Sequence, residues 1–158
     1  MHRFTKNNTM QKLLLSFFIL ISFSANAQTI SINRNEAIAE MVGNISKDSL
    51  ESYISKMVSF GTRHTLSSQT NPKRGIGAAR IYVLSKFKEF EKSSGGRLIS
   101  FIDTTTILAD GRRVDRNIIL GNVMGVLKGT DANDKRVFII SGHLDSRNTN
   151  IMDSTGEA

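Results

Sequence analysis

Arg136-Val137-Phe138-Ile139-Ile140-Ser141-Gly142-His143-Leu144-Asp145-Ser146 is the stretch on which the fold turns. Four consecutive apolar residues, each β-branched or aromatic, lead into a serine and a glycine. A short run that is apolar at every position reads as a strand buried on both faces, inside a sheet with helices on either side. Gly142 frees the chain to turn, and His143 and Asp145 follow two residues apart. In open α/β sheets, ligands and metals collect just beyond the carboxyl ends of central strands. An imidazole nitrogen is a zinc ligand, and a nearby carboxylate orients and polarises the ring. The same spacing also suits a plain hydrogen-bonded pair in a loop, so both readings stay open on the residues alone.

Working back from this strand, Arg97 to Leu108 is rich in Ile, Phe and Thr, and Asp110-Gly111 is a hairpin turn signal. Asn117 to Leu127 reads as a second strand, with Gly121 and Gly125 as bulge positions. Gly129 to Lys135 is a polar turn into Val137–Ile140. Short turns joining three strands predict an antiparallel meander.

Helices precede the strands. Asn33 and Glu36 form a capping-box pattern before Ile38, Met41 and Val42, and Gly43-Asn44 ends that short helix. Ser46 caps the next helix, whose Leu50, Tyr53, Ile54, Met57 and Val58 make a 3.6-period stripe that Gly61 stops. Thr62 to Thr70 is a polar loop containing Arg63 and His64. His64 competes with His143 as a ligand, but it has no carboxylate near it in sequence and reads as structural or surface. Asn71-Pro72 signals a third helix with Ala79, Val83, Phe87 and Phe90 on one face. Lys86, Lys88, Glu89 and Glu91 read as its solvated side. Gly95-Gly96 closes it.

The first 27 of the 158 residues have the order of a secretory signal: Arg3, Lys6 and Lys12, an apolar Leu13–Phe23, then Ala25-Asn26-Ala27 as a small-x-small cleavage site. The apolar core is too short to span a bilayer. Cleavage leaves a chain that begins at Gln28, with residues 28–45 as an N-terminal extension ahead of a domain that starts at residue 46. The signal's three basic residues are part of the net charge of +7, so the remainder carries +4. That is too mild to argue for nucleic acid, and no basic-aromatic stripe accompanies it. The absence of cysteine excludes a disulfide scaffold, a thiol nucleophile and thiolate-bound zinc. Any metal site must use His, Asp and Glu.

Leu50–Phe60, Gly77–Phe90, Asn122-Val123-Met124-Gly125-Val126-Leu127-Lys128-Gly129-Thr130 and Val137–Ser146 together resemble the zinc-dependent aminopeptidase family of secreted bacterial leucyl aminopeptidases. Glutaminyl cyclases and plasma carboxypeptidase-like enzymes share that fold. In the family, an Asn-Val-x-(Gly/Ala) strand precedes a Gly-Thr turn, and a buried strand then delivers Gly-His-x-Asp-Ser. Gly142-His143-Leu144-Asp145-Ser146 matches without a gap. The resemblance covers roughly residues 46–158.

The resemblance implies an α/β fold, a three-layer α/β/α arrangement with a mixed sheet, incomplete in this chain. It implies two co-catalytic zinc ions, His143 as a ligand to one, and Asp145 bonded to that imidazole from outside the coordination shell. It implies peptides as substrates and release of an N-terminal residue; export to the periplasm or medium, with no membrane span after signal cleavage, is expected from residues 1–27. The family's bridging aspartate, general-base glutamate, further acidic ligand and second histidine have no counterparts here. Asp153 and Glu157 are therefore left unassigned. The expectation is the front part of an exported metallopeptidase, inactive as it stands. Two alternatives remain: a small secreted binding module in which His143 and Asp145 merely pair, and a glutaminyl cyclase-like enzyme on the same fold. Oligomeric state and substrate side chain are not encoded in these residues.

Overall fold

The computed structural model describes Lys12 and residues 33–157. The signal segment 1–27, Lys12 excepted, lies outside the described residues, as does 28–32 of the extension. The chain divides into two compact units, Met1–Ile45 and Ser46–Ala158. No helix among the described residues is long and apolar enough to cross a membrane.

The first unit contains α1, Glu36–Gly43. Its N-cap is Asn35, two residues later than the sequence pattern suggested. The Asn35 side-chain oxygen accepts from the backbone N–H groups of Ala37 at 3.0 Å and Ile38 at 3.2 Å. Glu36 thus becomes the first helical residue, where it favours the positive helix end rather than reaching back as a capping box. Asn44 closes the helix, its N–H donating to the Glu40 carbonyl.

The second unit begins with α2, Lys47–Val58, capped by Ser46, whose Oγ accepts from the Ser49 N–H at 3.1 Å. The apolar stripe of α2 is only partly used. Leu50, Ile54 and Val58 are exposed, and the inward packing comes from Met57 and from Phe60 just beyond the helix. Gly61, with φ of 68°, turns the chain away.

The next helix, α3, runs over Gly75–Ser93. It starts at Gly75 and not at Asn71-Pro72, because the Asn71 side chain closes a local turn by accepting from the Lys73 N–H. The Arg74 side chain provides no cap. The preceding loop satisfies the helix's first N–H groups instead: Gly75 donates to the Phe60 carbonyl, Ile76 to Ser67 Oγ and Gly77 to the Ser68 carbonyl. The loop lies so close that a Cβ on Gly77 would sit 2.1 Å from the Gln69 carbonyl oxygen.

Strands β1 (Leu98–Ile107) and β2 (Ile118–Leu127) pair antiparallel without interruption, from Leu98 opposite Leu127 to Ile107 opposite Ile118. The expected bulges at Gly121 and Gly125 are absent. These glycines serve close approach: a Cβ would lie 3.0 Å from the Arg80 guanidinium at Gly121 and 3.2 Å from the Phe87 ring at Gly125. The turn is also longer than a two-residue hairpin. It spans residues 108–117, with the Asp110 carboxylate accepting from the N–H groups of Arg112, Arg113 and Val114.

Among the described residues, the packed core cluster is Phe60, Ala78 and the fully buried Ala79, with Met57, Tyr82 and Leu144 against them, and Leu66, Ile76 and Ile118 are also buried. Phe60 and Tyr82 meet with ring centroids 5.8 Å apart and planes tilted by 57°. One face of the β1–β2 pair carries α3. On the other, Ile99 lies opposite Val126 and Phe101 opposite Met124, all four exposed.

Val137–Ile140 is not a strand. These residues are 81–98 % exposed and belong to no sheet, so the three-stranded meander reduces to two strands. The three-layer arrangement with a mixed sheet is correspondingly not formed by the described residues. A wholly apolar strand is held by partners on both edges and cover on both faces. Among the described residues β1 and β2 pair only with each other, and no described segment supplies the rest.

Glu91 is not simply part of a solvated face. Its carboxylate bonds to Lys88 Nζ at 2.8 Å and accepts from the Ser100 hydroxyl at 2.6 Å and the Ser100 N–H, tying α3 to β1. The Lys88 ammonium and these Ser100 donors lower its pKa from 4.5 to about 2. A depressed carboxylate pKa stabilises the fold above the unfolded pKa and loses that contribution as pH falls through the folded value. The thermal midpoint of wild type should therefore exceed that of Glu91→Gln at neutral pH, with the gap closing between pH 4.5 and about 2. Paired melts across that range check it.

Candidate metal centre

Residues 137–142 form no hydrogen bond among the described residues, yet the segment that follows them is anchored. Leu144 packs on the Phe60–Ala78–Ala79 core. The Arg63 N–H donates to Ser146 Oγ at 3.2 Å, and the Ser146 N–H donates back to the Arg63 carbonyl at 3.3 Å. The Arg63 guanidinium donates through Nε to the Leu144 carbonyl at 3.1 Å and through Nη1 to the Met57 carbonyl at 2.8 Å.

On this anchor the structure brings the two sequence-derived site residues together. His143 Nδ1 lies 3.0 Å from Asp145 Oδ1. A carboxylate only accepts, so Nδ1 carries a proton, and in the neutral imidazole the lone pair then lies on Nε2. Nε2 has no hydrogen-bond partner among the described residues, and the His143 side chain is 95 % exposed. An imidazole fixed in this tautomer by a carboxylate has the donor chemistry of a zinc ligand.

The other histidine of the unit is committed elsewhere. His64 is buried, and its Nδ1 accepts from the Leu66 N–H at 3.0 Å. Its proton is therefore on Nε2, which donates to the Ile151 carbonyl at 2.9 Å. No lone pair is left for a metal. The two tail carboxylates are also occupied. Asp153 accepts from the Thr155 N–H and hydroxyl, the Gly156 N–H and the Asn148 amide, and these bonds hold its pKa far below the usual carboxylate range. Glu157 pairs with Arg74 Nη1 at 2.6 Å.

His143 thus fits as one zinc ligand, but a held zinc needs three or four. Among the described residues no group of three or more His, Asp or Glu side chains could hold a metal ion. The residue that sequence reasoning missed is Arg63. Its one visible signal was a cation just past a helix C-terminus with no acidic neighbour in the loop, a place where a guanidinium finds carbonyl partners.

No protein-family model matches the chain, and no solved structure does. Curated relatives do. A "Probable zinc metalloprotease" of Pyrenophora teres f. teres is 42% identical over 127 residues, covering 78% of this chain and 27% of the relative. One of Pyrenophora tritici-repentis is 40% identical over 127 residues, covering 78% and 29%. One of Phaeosphaeria nodorum is 39% identical over 125 residues, covering 78% and 25%. The chain spans about a quarter of the length of these relatives. Over most of its own length, the chain that carries the His143–Asp145 pair is thus similar to fungal proteins named probable zinc metalloproteases.

Proposed function

We propose that this chain is part of an exported zinc metallopeptidase of aminopeptidase type, in which His143 binds one of two zinc ions and Asp145 orients its ring. The observation that carries the reading is the 3.0 Å Asp145–His143 bond, which leaves Nε2 facing outward in a chain similar to probable zinc metalloproteases. Asp145 holds the proton on Nδ1 and raises the basicity of Nε2. Leu144 between them fastens the pair to the hydrophobic core. Zinc, when bound, supplies a water of lowered pKa and polarises the scissile carbonyl. The remaining ligands and the general base belong to other parts of the full-length protein, so the 158-residue chain is inactive.

The three-layer fold is supported by two apolar surfaces. Ile99, Phe101, Met124 and Val126 form an exposed face on the sheet opposite α3, and Val137–Ile140 is exposed along its whole length. Helices on the free face and strands beside Val137–Ile140 would bury both. Export rests on the charge-apolar-small order of residues 1–27.

The test is a product analysis. The full-length protein with zinc is incubated with a peptide beginning with leucine and with one beginning with glutamine. Stepwise release of free N-terminal amino acids from the first is expected, and the secreted protein should start at Gln28. Internal cleavage would reject the aminopeptidase assignment. Loss of ammonia from the glutaminyl peptide with no amino acid released would assign cyclisation instead.

A further inference from the structure

We infer that Arg63 is the positioning residue of the His143–Asp145 pair; the metal arm of this inference rests on the function proposed above, and its structural arm does not. The two peptide groups that flank Asp145 are both held by this one residue. The Leu144 carbonyl, on the N-terminal side, accepts from Arg63 Nε, and the Ser146 N–H, on the C-terminal side, donates to the Arg63 carbonyl. Fixing both peptide planes fixes the direction in which the Asp145 Cα–Cβ bond leaves the backbone, and the carboxylate meets the His143 ring at 3.0 Å. Nothing upstream shares the task, because residues 137–142 make no hydrogen bond among the described residues. The guanidinium is itself steadied. Nη1 bonds to the Met57 carbonyl in the last turn of α2, where a cation is favoured by the helix dipole. Reaching Met57 and Leu144 at once takes the planar fork of arginine; a lysine ammonium is a single point on a flexible stem and holds one of them. Arg63 makes no hydrogen bond to the imidazole and acts through the Leu144 and Ser146 peptide groups and the Ser146 hydroxyl.

The experiment compares Arg63→Lys, Arg63→Gln and Ser146→Ala with wild type. On the 158-residue chain, nitrogen-15 spectra of the His143 ring and hydrogen exchange of the Ser146 amide are recorded. On the full-length protein, zinc affinity is measured by competition with a chromophoric chelator. Both Arg63 variants keep the backbone carbonyl that accepts from the Ser146 N–H but lose the guanidinium bond to the Leu144 carbonyl; they should weaken Ser146 protection without abolishing it and shift the His143 ring towards a mixture of tautomers. Zinc affinity should fall about 10-fold or more, in the range found when groups supporting a ligand are removed. Ser146→Ala, which removes only the hydroxyl acceptor, should change the same signals in the same direction by less, and it serves where an Arg63 variant fails to fold. Folded variants that melt earlier yet keep wild-type ring signals and zinc affinity would overturn the inference. Ring signals that change in a protein whose wild type binds no zinc would uphold the positioning role and reject the metal reading.

Discussion

His143→Ala in the full-length protein should abolish peptidase turnover and remove zinc from one of two sites. The substitution deletes the only nitrogen lone pair that the anchored loop presents outward. A catalytic zinc is held by about three protein ligands, so loss of one opens the shell rather than loosening it. Asp145→Asn should be milder, because the amide can accept from Nδ1–H but does not polarise the ring as a carboxylate does. Changes of this kind cost about 10–100-fold in affinity or activity. The expected order is therefore wild type, then Asp145→Asn lower by about 10–100-fold, then His143→Ala without measurable activity. Rates on an aminoacyl reporter, measured with zinc content, check it. If the pair were an ordinary loop contact, both variants would keep wild-type rates and bound zinc.

Gly77→Ala should give the largest loss of stability. Gly77 is buried in the first turn of α3, and an added Cβ would lie 2.1 Å from the Gln69 carbonyl oxygen and 2.4 Å from its carbon. These are backbone atoms and cannot rotate aside. The Ser67–Gln69 segment would have to retreat, releasing the bonds from Ile76 to Ser67 Oγ and from Gly77 to the Ser68 carbonyl. Overpacking of this kind costs about 1–3 kcal/mol, occasionally more, and about 3 kcal/mol is expected here, against the ordinary gain in helix propensity on going from glycine to alanine. The same loop positions Arg63, so the His143 loop should loosen with it. Denaturant midpoints for wild type and Gly77→Ala give the answer; equal midpoints would show that the approach of loop to helix is not tight.

The helices and two of the strands were legible because their signals are local. Ser46 caps α2 with its own side chain, and the Ile, Phe and Thr of residues 98–107 prefer an extended chain whatever surrounds them. The starts of α1 and α3 and the length of the hairpin turn were decided by local side-chain bonds of Asn35, Asn71 and Asp110; the larger differences arose where a distant partner decides. Glycines at 121 and 125 look like bulges until Arg80 and Phe87 are seen lying over them. Glu91 looks like a surface charge until Ser100 turns out to be its partner. Val137–Ile140 has the composition of a central strand, but composition cannot supply the neighbours that make one. At the site, His143 and Asp145 were legible because two residues of separation suffice for their bond. Arg63 was not, since its partners lie 81 and 83 positions away.

Zinc analysis of the full-length wild-type protein, with X-ray absorption at the zinc edge, decides whether His143 is a metal ligand. Two zinc ions per chain are expected, with imidazole nitrogen scattering at about 2.0–2.1 Å that diminishes in His143→Ala. A protein that is folded and active without zinc, or whose zinc spectrum is the same in wild type and His143→Ala, would contradict that assignment.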